Sequence, residues 1–330
     1  MSELVSVLMC VYNTKSIYLR EAIDSILNQT YSNIEFVIID DYSTCEETLE
    51  VLSAIKDERV KIYHNNSNLG LTKSLNKGLM RCTGSYIARM DADDIALKDR
   101  IEKQINYIQR TNFLVIGSDF NLLPYRKKRV YITENYDKQK IRMIFGNHGI
   151  VHSTAFFDRK LLALDLIYDE SYIRSQDYSL WCKVLEKGYG IGFCPDKLLL
   201  WRESHEQITR KYSSEQAKDA NAIRKNYIFN NFEGDKELLT SFVKYISNKT
   251  YTISEINIKE IDNLVIDFMN VNSINNKLLE KEICRFWFMQ SILRLKVFHK
   301  IDFLKSSLWY RIIKPSNLGY ILKSFMTEKK

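Results

Sequence analysis

Between residues 5 and 90 the chain alternates short apolar runs with amphipathic stretches, and few folds accept that order. Val5 to Val11 reads as one apolar run without strict alternation, which marks a strand buried on both faces. Leu19, Ala22, Ile23, Ile26 and Leu27 then recur at helical spacing within Ile17–Gln29. A strand is expected at Ile34–Ile39, a helix at Glu46–Ile55, a strand at Val60–His64, a helix at Thr72–Cys82 and a strand ending at Met90. Strand–helix alternation with short links predicts an α/β fold, a mostly parallel sheet flanked by helices.

Each strand gives way to polar residues: Val11-Tyr-Asn13, Asp40-Asp41, Asn65-Asn66 and Asp91-Ala-Asp93. Open α/β sheets bind ligands at that edge. The last of these ends carries three carboxylates, Asp91, Asp93 and Asp94. Alternation along an extended chain puts Asp91 and Asp93 on one side, so both can face one ion. Hard divalent cations take oxygen ligands and keep substrate phosphates as partners, which suggests a metal–diphosphate site. Alone, the same residues read equally well as a solvated acidic turn. No P-loop and no G-x-G-x-x-G follows the first strand, which speaks against a Walker-type ATPase or a Rossmann dinucleotide enzyme.

A chain of 330 residues exceeds the ~250–300 at which one core stops growing, so a main domain plus an appendage is expected. Residues 113–215 carry a mixed pattern, including a helix near Tyr178–Lys187, and beyond about 215 the chain reads as helical. The run Arg126-Lys-Lys-Arg129 is either a solvated hairpin tip or an acceptor-phosphate contact. The six cysteines (Cys10, Cys45, Cys82, Cys182, Cys194, Cys284) form no C-x-x-C pair, which argues for a reducing, cytoplasmic setting. Leu4–Val11 lacks a basic flank and is too short for a signal peptide or a span.

The net charge of +7 is unevenly placed. Residues 285–330 hold ten Lys+Arg and two acids, leaving 38 basic and 39 acidic side chains elsewhere. A nucleic-acid binder would spread its positive charge over a working face, so no nucleic-acid partner is expected. In that tail Phe288, Ile292, Leu295, Phe298, Ile301, Leu304, Leu308 and Ile312 recur at helical intervals, with Arg294, Lys300, Lys305 and Arg311 between them. Such a stripe either lies on an anionic membrane surface or packs on the rest of the protein.

Taken in order, five motifs make the chain similar to family 2 glycosyltransferases, inverting enzymes of the GT-A fold. They are Val5-Ser-Val-Leu-Met-Cys-Val-Tyr-Asn13; Ala22-Ile-Asp-Ser-Ile-Leu-Asn-Gln-Thr-Tyr31 running into Val37-Ile-Ile-Asp-Asp-Tyr-Ser43; Asn68-Leu-Gly-Leu-Thr-Lys-Ser-Leu-Asn-Lys-Gly78; Asp91-Ala-Asp-Asp94; and Ser175-Gln-Asp-Tyr-Ser-Leu-Trp181. The resemblance spans roughly residues 4–205. It implies a catalytic domain over 1–215, with a nucleotide half to about 112 and an acceptor half from about 113, and a helical basic extension over 216–330. Two departures stand out. Tyr42 occupies a position where the family usually has Gly, and Gln176-Asp177 replaces the family's Glu-Asp pair.

The resemblance also implies roles. Asp41 would accept a hydrogen bond from the nucleobase and Tyr12 would pack on it, unless Tyr12 is an ordinary strand-end aromatic. Lys73 would meet ribose or phosphate, or simply be exposed surface. Asp91 and Asp93 would hold ribose and Mn²⁺ or Mg²⁺, a Lewis acid on the departing diphosphate. Asp177 would be the general base for the acceptor hydroxyl, its alternative being a helix N-cap. Arg202 would offer a fork of donors to the diphosphate and His205 a further metal ligand, or both mark a surface strand end. His152 matches a family position near the acceptor cleft without an assigned role. The expected activity is transfer of a hexose, Glc or Gal ahead of GlcNAc or GalNAc, from a UDP-sugar to a saccharide acceptor. With the tail, this suits an acceptor on a polyprenyl diphosphate at the inner face of the membrane, in capsule or O-antigen assembly. The rival is a sugar-nucleotide-binding protein without catalysis, for which Gln176 is the support.

Overall fold

A computed structural model of the chain describes residues 2–123, 126–127, 133–146, 150–203, 213–247, 258–272, 277–285, 314–319 and 321. It divides into two compact units, one of residues 1–136 and 148–219, the other of 137–147 and 220–330. The segment 137–147, read from the sequence as part of the acceptor half, thus belongs with the C-terminal residues.

In the first unit the expected alternation is present: β1 (Val5–Val11), α1 (Ser16–Leu27), β2 (Ile34–Asp40), α2 (Glu46–Ser53), β3 (Val60–His64), α3 (Leu71–Arg81) and β4 (Tyr86–Asp91). The order β3-β2-β1-β4 is parallel throughout. Val5, Val7, Met9 and Val11 of β1 pack with Leu19, Ala22, Ile23 and Ile26 of α1 in the main core. Leu8 faces the other way, towards α3, where a Cβ on Gly78 would come within 2.2 Å of Leu8 Cδ1. Burial on both faces is why β1 lacks a polar alternate.

Past β4 the sheet becomes mixed. β5 (Ile95–Ala96), α4 (Arg100–Ile108), β6 (Val115–Leu123), β7 (Arg126–Lys127), β8 (Phe156–Asp158) and β9 (Ile191–Arg202) continue it in the order β4-β8-β6-β9-β5. β8 is antiparallel to both β4 and β6, while β9 runs parallel to β6. β7 folds back on β6, a hairpin as expected for the basic run, of which residues 128–129 lie outside the described residues. A 3₁₀ turn (His152–Thr154), α6 (Lys160–Ala163) and α7 (Gln176–Glu186) complete the layer over the sheet.

The second unit is helical. It contains α5 (Tyr136–Ile144), which begins at the boundary, α8 (Ser213–Asn231), also shared, α9 (Lys236–Ser247) and α10 (Ile258–Val271). Its core holds the Phe242 and Phe268 rings stacked at 3.7 Å and the buried Arg142–Glu282 ion pair at 2.8 Å. Among the described residues no helix is long and apolar enough to cross a membrane. The stripe from Phe288 to Ile312 lies outside the described residues.

Candidate active site

The carboxyl ends of β1, β2 and β4 lie side by side, because Val11 pairs with Asp40 and Cys10 with Asp91. Polar residues 30 and 80 positions apart in sequence therefore share one edge. Asn13, with φ of 47°, uses its side-chain carbonyl to accept the N–H groups of Thr44 at 2.8 Å and Cys45 at 2.9 Å. Tyr12 stands exposed at the same edge, 52% accessible, as a base-stacking residue would.

Asp41 is buried, and both its oxygens are engaged. Asn65 Nδ2 and the Leu69 N–H donate to Oδ1 at 2.8 Å, and the Gly70 N–H donates to Oδ2 at 2.8 Å. The carboxylate thus anchors the loop that starts α3. Next to it Tyr42 takes φ of 65°, the left-handed conformation that explains why glycine suits this position. Its ring is held outward, 50% exposed. Lys73 is exposed on α3, while Lys77, one turn on, donates to Asn65 Oδ1 at 2.6 Å and so reaches the Asp41 network. The sequence reading missed Lys77 and Asn65. The i+4 spacing from Lys73 was the available signal.

The β4–β5 link carries the carboxylates. One oxygen from each of Asp91, Asp93 and Asp94 lies within 4.8 Å of the other two. Burial, then the neighbouring Asp91 charge, pushes the Asp93 carboxyl up to about 6, and the same causes raise Asp94. Asp94 is fully engaged: Ser153 Oγ donates to Oδ2 at 2.6 Å and the Arg202 N–H to Oδ1 at 2.9 Å. Asp91 pairs through Oδ1 with the buried guanidinium of Arg89. The cluster is all oxygen, mutually repelling and partly exposed, so its donor set fits a hard divalent cation. Asp93 and the second oxygen of Asp91 are the groups able to hold it.

Arg202 does not extend a free fork. Its Nε donates to the Asp93 carbonyl at 2.8 Å, its Nη2 pairs with Glu21, and its guanidinium lies 4.2 Å from the Tyr18 ring centre. In this arrangement Arg202 braces the carboxylate loop from β9. His205 lies outside the described residues.

Asp177 is the second residue of α7, half-buried, and the residue before the helix is Ser175 in a left-handed conformation with φ of 58°. The N-cap alternative for Asp177 is thereby set aside. Ser175 Oγ donates to the Gln216 carbonyl at 3.2 Å and the Arg174 N–H to Asp219 at 2.8 Å, which hold this strained turn in place. Gln176 is buried beside it. Asp177 and the carboxylate cluster approach one residue in common. Tyr168 is buried, and after burial itself the charges that act on its hydroxyl are Arg89, Asp177, Cys10 and Asp91. That hydroxyl is 2.8 Å from His152 Nε2, and His152 sits edge-on to Trp181 of α7. Tyr168 and Arg89 were not singled out in the sequence. A charged residue inside the otherwise apolar Tyr86–Met90 was the signal for Arg89.

A parallel sheet whose strand ends gather an aspartate-anchored loop, a D-x-D cluster and a carboxylate at a helix start is the GT-A nucleotide-sugar transferase arrangement. Residues 6–163 match the model of glycosyl transferase family 2. An uncharacterized glycosyltransferase of Haemophilus influenzae is 34% identical over 241 residues, 68% of this chain and 73% of that protein. The O-antigen biosynthesis glycosyltransferase WbnJ of Escherichia coli is 32% identical over 220 residues, 63% of this chain and 83% of that protein. Among solved structures, S. aureus TarS 1–349 in complex with UDP-GlcNAc aligns with a TM-score of 0.58 at 15% identity, covering 98% of this chain and 92% of that one. The chain belongs to glycosyl transferase family 2.

Proposed function

We propose that this protein is a metal-dependent, inverting glycosyltransferase that moves a hexose from a UDP-sugar to a saccharide acceptor. The observation that carries the reading is the common approach of Asp91 and Asp177 to Tyr168. It brings a diphosphate-binding edge and a base into one cleft, as a single displacement at the anomeric carbon requires. In this reading Tyr12 packs on the uracil, and Asp41 with Asn65 and Lys77 shapes the loop around the nucleotide. Asp93, with Asp91, holds Mn²⁺ or Mg²⁺, which when bound supplies Lewis-acid stabilisation of the departing diphosphate. Arg202 keeps the carboxylate loop in shape.

Asp177 takes the acceptor hydroxyl proton. A base so placed is worth about 10²–10⁴-fold in rate. The likeness to WbnJ supports an O-antigen or capsule role, with the acceptor on a polyprenyl diphosphate and the basic C-terminal stripe at the inner membrane surface. Glc and Gal are the donors placed first, GlcNAc and GalNAc next; the TarS complex supports UDP as the carrier.

The test is UDP release with Mn²⁺ from UDP-Glc, UDP-Gal, UDP-GlcNAc and UDP-GalNAc, using a lipid-diphosphate monosaccharide acceptor, in the wild type and in Asp177→Asn. Turnover with one donor, abolished in the variant while UDP binding persists, is the expected result. Activity surviving Asp177→Asn would refute the assignment of the base. Metal-dependent UDP binding without transfer to any acceptor would favour the non-catalytic reading.

A further inference from the structure

Arg89 is an unusual residue to find in β4. Its neighbours Ile87, Ala88 and Met90 are apolar and buried, and Arg89 itself is 2% exposed. A buried guanidinium is costly unless its charge and its donors are matched. Here the charge is matched once, by Oδ1 of Asp91. Nε and Nη1 are buried and have no acceptor. The other groups facing it, Cys10 and Tyr168, are a thiol and a phenol. Among the described residues no other cation forms an ion pair with a carboxylate of the cluster. Arg202 is paired with Glu21, and Arg100 donates to the Arg89 carbonyl at 2.6 Å and to Gln104 at 3.0 Å.

We propose that Arg89 is a standing counter-cation of the Asp91–Asp93–Asp94 cluster, which holds one Asp91 oxygen and keeps the nucleotide-free site a weak binder of divalent cations. The inference rests on the reading that Asp91 and Asp93 face the metal, and it goes beyond that reading by giving the loading a condition. A divalent ion arriving alone meets a cluster from which Arg89 has already drawn part of the negative charge, and it is repelled by a buried positive charge behind Asp91. The donor's diphosphate brings the missing anionic oxygens. Metal and sugar nucleotide therefore bind cooperatively, and Arg89 acts as a positioning residue through Asp91 without touching substrate.

The prediction has a sign that a purely structural role would not give. Removing the charge of Arg89 tightens metal binding to the nucleotide-free protein. The experiment titrates the full chain with Mn²⁺ and reads free Mn²⁺ by its EPR signal, with and without saturating UDP. It compares wild type, Arg89→Gln, Arg89→Lys and Asp93→Asn.

We expect Arg89→Gln to bind Mn²⁺ at least about tenfold tighter without UDP, a change of ~1.4 kcal/mol. We expect the gain on adding UDP to shrink in that variant, and Arg89→Lys, which keeps the charge, to stay near wild type. If Arg89→Gln does not fold, Arg89→Met carries the same expectation with an apolar stem. Unchanged or weaker nucleotide-free affinity in the neutral variants, or equal losses in Gln and Lys, overturns the proposal. Wild-type Mn²⁺ binding that is indifferent to Asp93→Asn refutes the metal reading itself, an outcome visible without reference to Arg89.

Discussion

Ser153 donates a 2.6 Å hydrogen bond to the buried carboxylate of Asp94, tying the 3₁₀ turn before β8 to the carboxylate loop after β4. Asp94 is fully buried, and its pKa is raised by burial and by Asp91 and Asp93, so each donor it has counts. Ser153→Ala leaves a buried acceptor unsatisfied, which costs about 1–3 kcal/mol. Urea denaturation should show that loss, with the Mn²⁺ dependence of UDP release shifted to higher metal concentration. A variant as stable as wild type would mean that the loop does not depend on this contact.

Asp41→Asn should lower UDP affinity by about tenfold or more, roughly 1.4 kcal/mol. The wild-type carboxylate accepts from two backbone N–H groups and Asn65. An amide turns one of its two acceptors into a donor that faces an N–H, so the loop at residues 65–70 must shift. Calorimetric titration with UDP reads the effect directly.

Tyr42 holds φ of 65°. An L-residue pays about 1–2 kcal/mol in the left-handed region, while glycine gives back roughly 0.5–1 kcal/mol through the entropy of its unfolded chain. Tyr42→Gly should therefore be neutral to mildly stabilising, by up to about 1 kcal/mol, and Tyr42→Ala should gain nothing. Parallel melting curves for the two variants separate backbone strain from loss of the ring.

Glu35 supplies the pH test of the fold. Burial opposes its ionisation, but hydrogen bonds from Lys61 at 2.6 Å, Ser6 at 2.5 Å and Thr83 prevail and hold its pKa at about 2, against an ordinary 4.5. The folded state thus favours the carboxylate. Its contribution is fully present above about 4.5 and is lost as pH falls from there towards 2. Glu35→Gln should flatten that part of the acid-denaturation curve. An unchanged curve would remove Glu35 from the account.

The parallel half of the sheet was legible because its strands are buried on both faces and its helices on one, and each condition leaves its own periodicity. The remainder carried weaker signals. β5 has two residues and β8 three, too few for a pattern. β9 runs through Pro195 and Asp196 with shifts in register against β6 between Ser118 and Phe120, so its alternation breaks. The segment 137–147 looked like part of the acceptor half because membership of a core is set by packing partners such as Glu282, far along the chain.

The residues by themselves determined what chemistry was available: three aspartates after a buried strand, an aspartate pair at the end of another, and Asp177 at a helix start. Residue type sets which ions and protons a side chain can hold, and that survives without coordinates. Only the tertiary structure decided how those groups are used. It engaged Asp41 with the α3 loop, committed Arg202 to Glu21 and the Asp93 carbonyl, and placed Arg89 behind Asp91. Such choices depend on which donors fold into reach and on how little water remains to compete, and neither is written in the spacing of one chain.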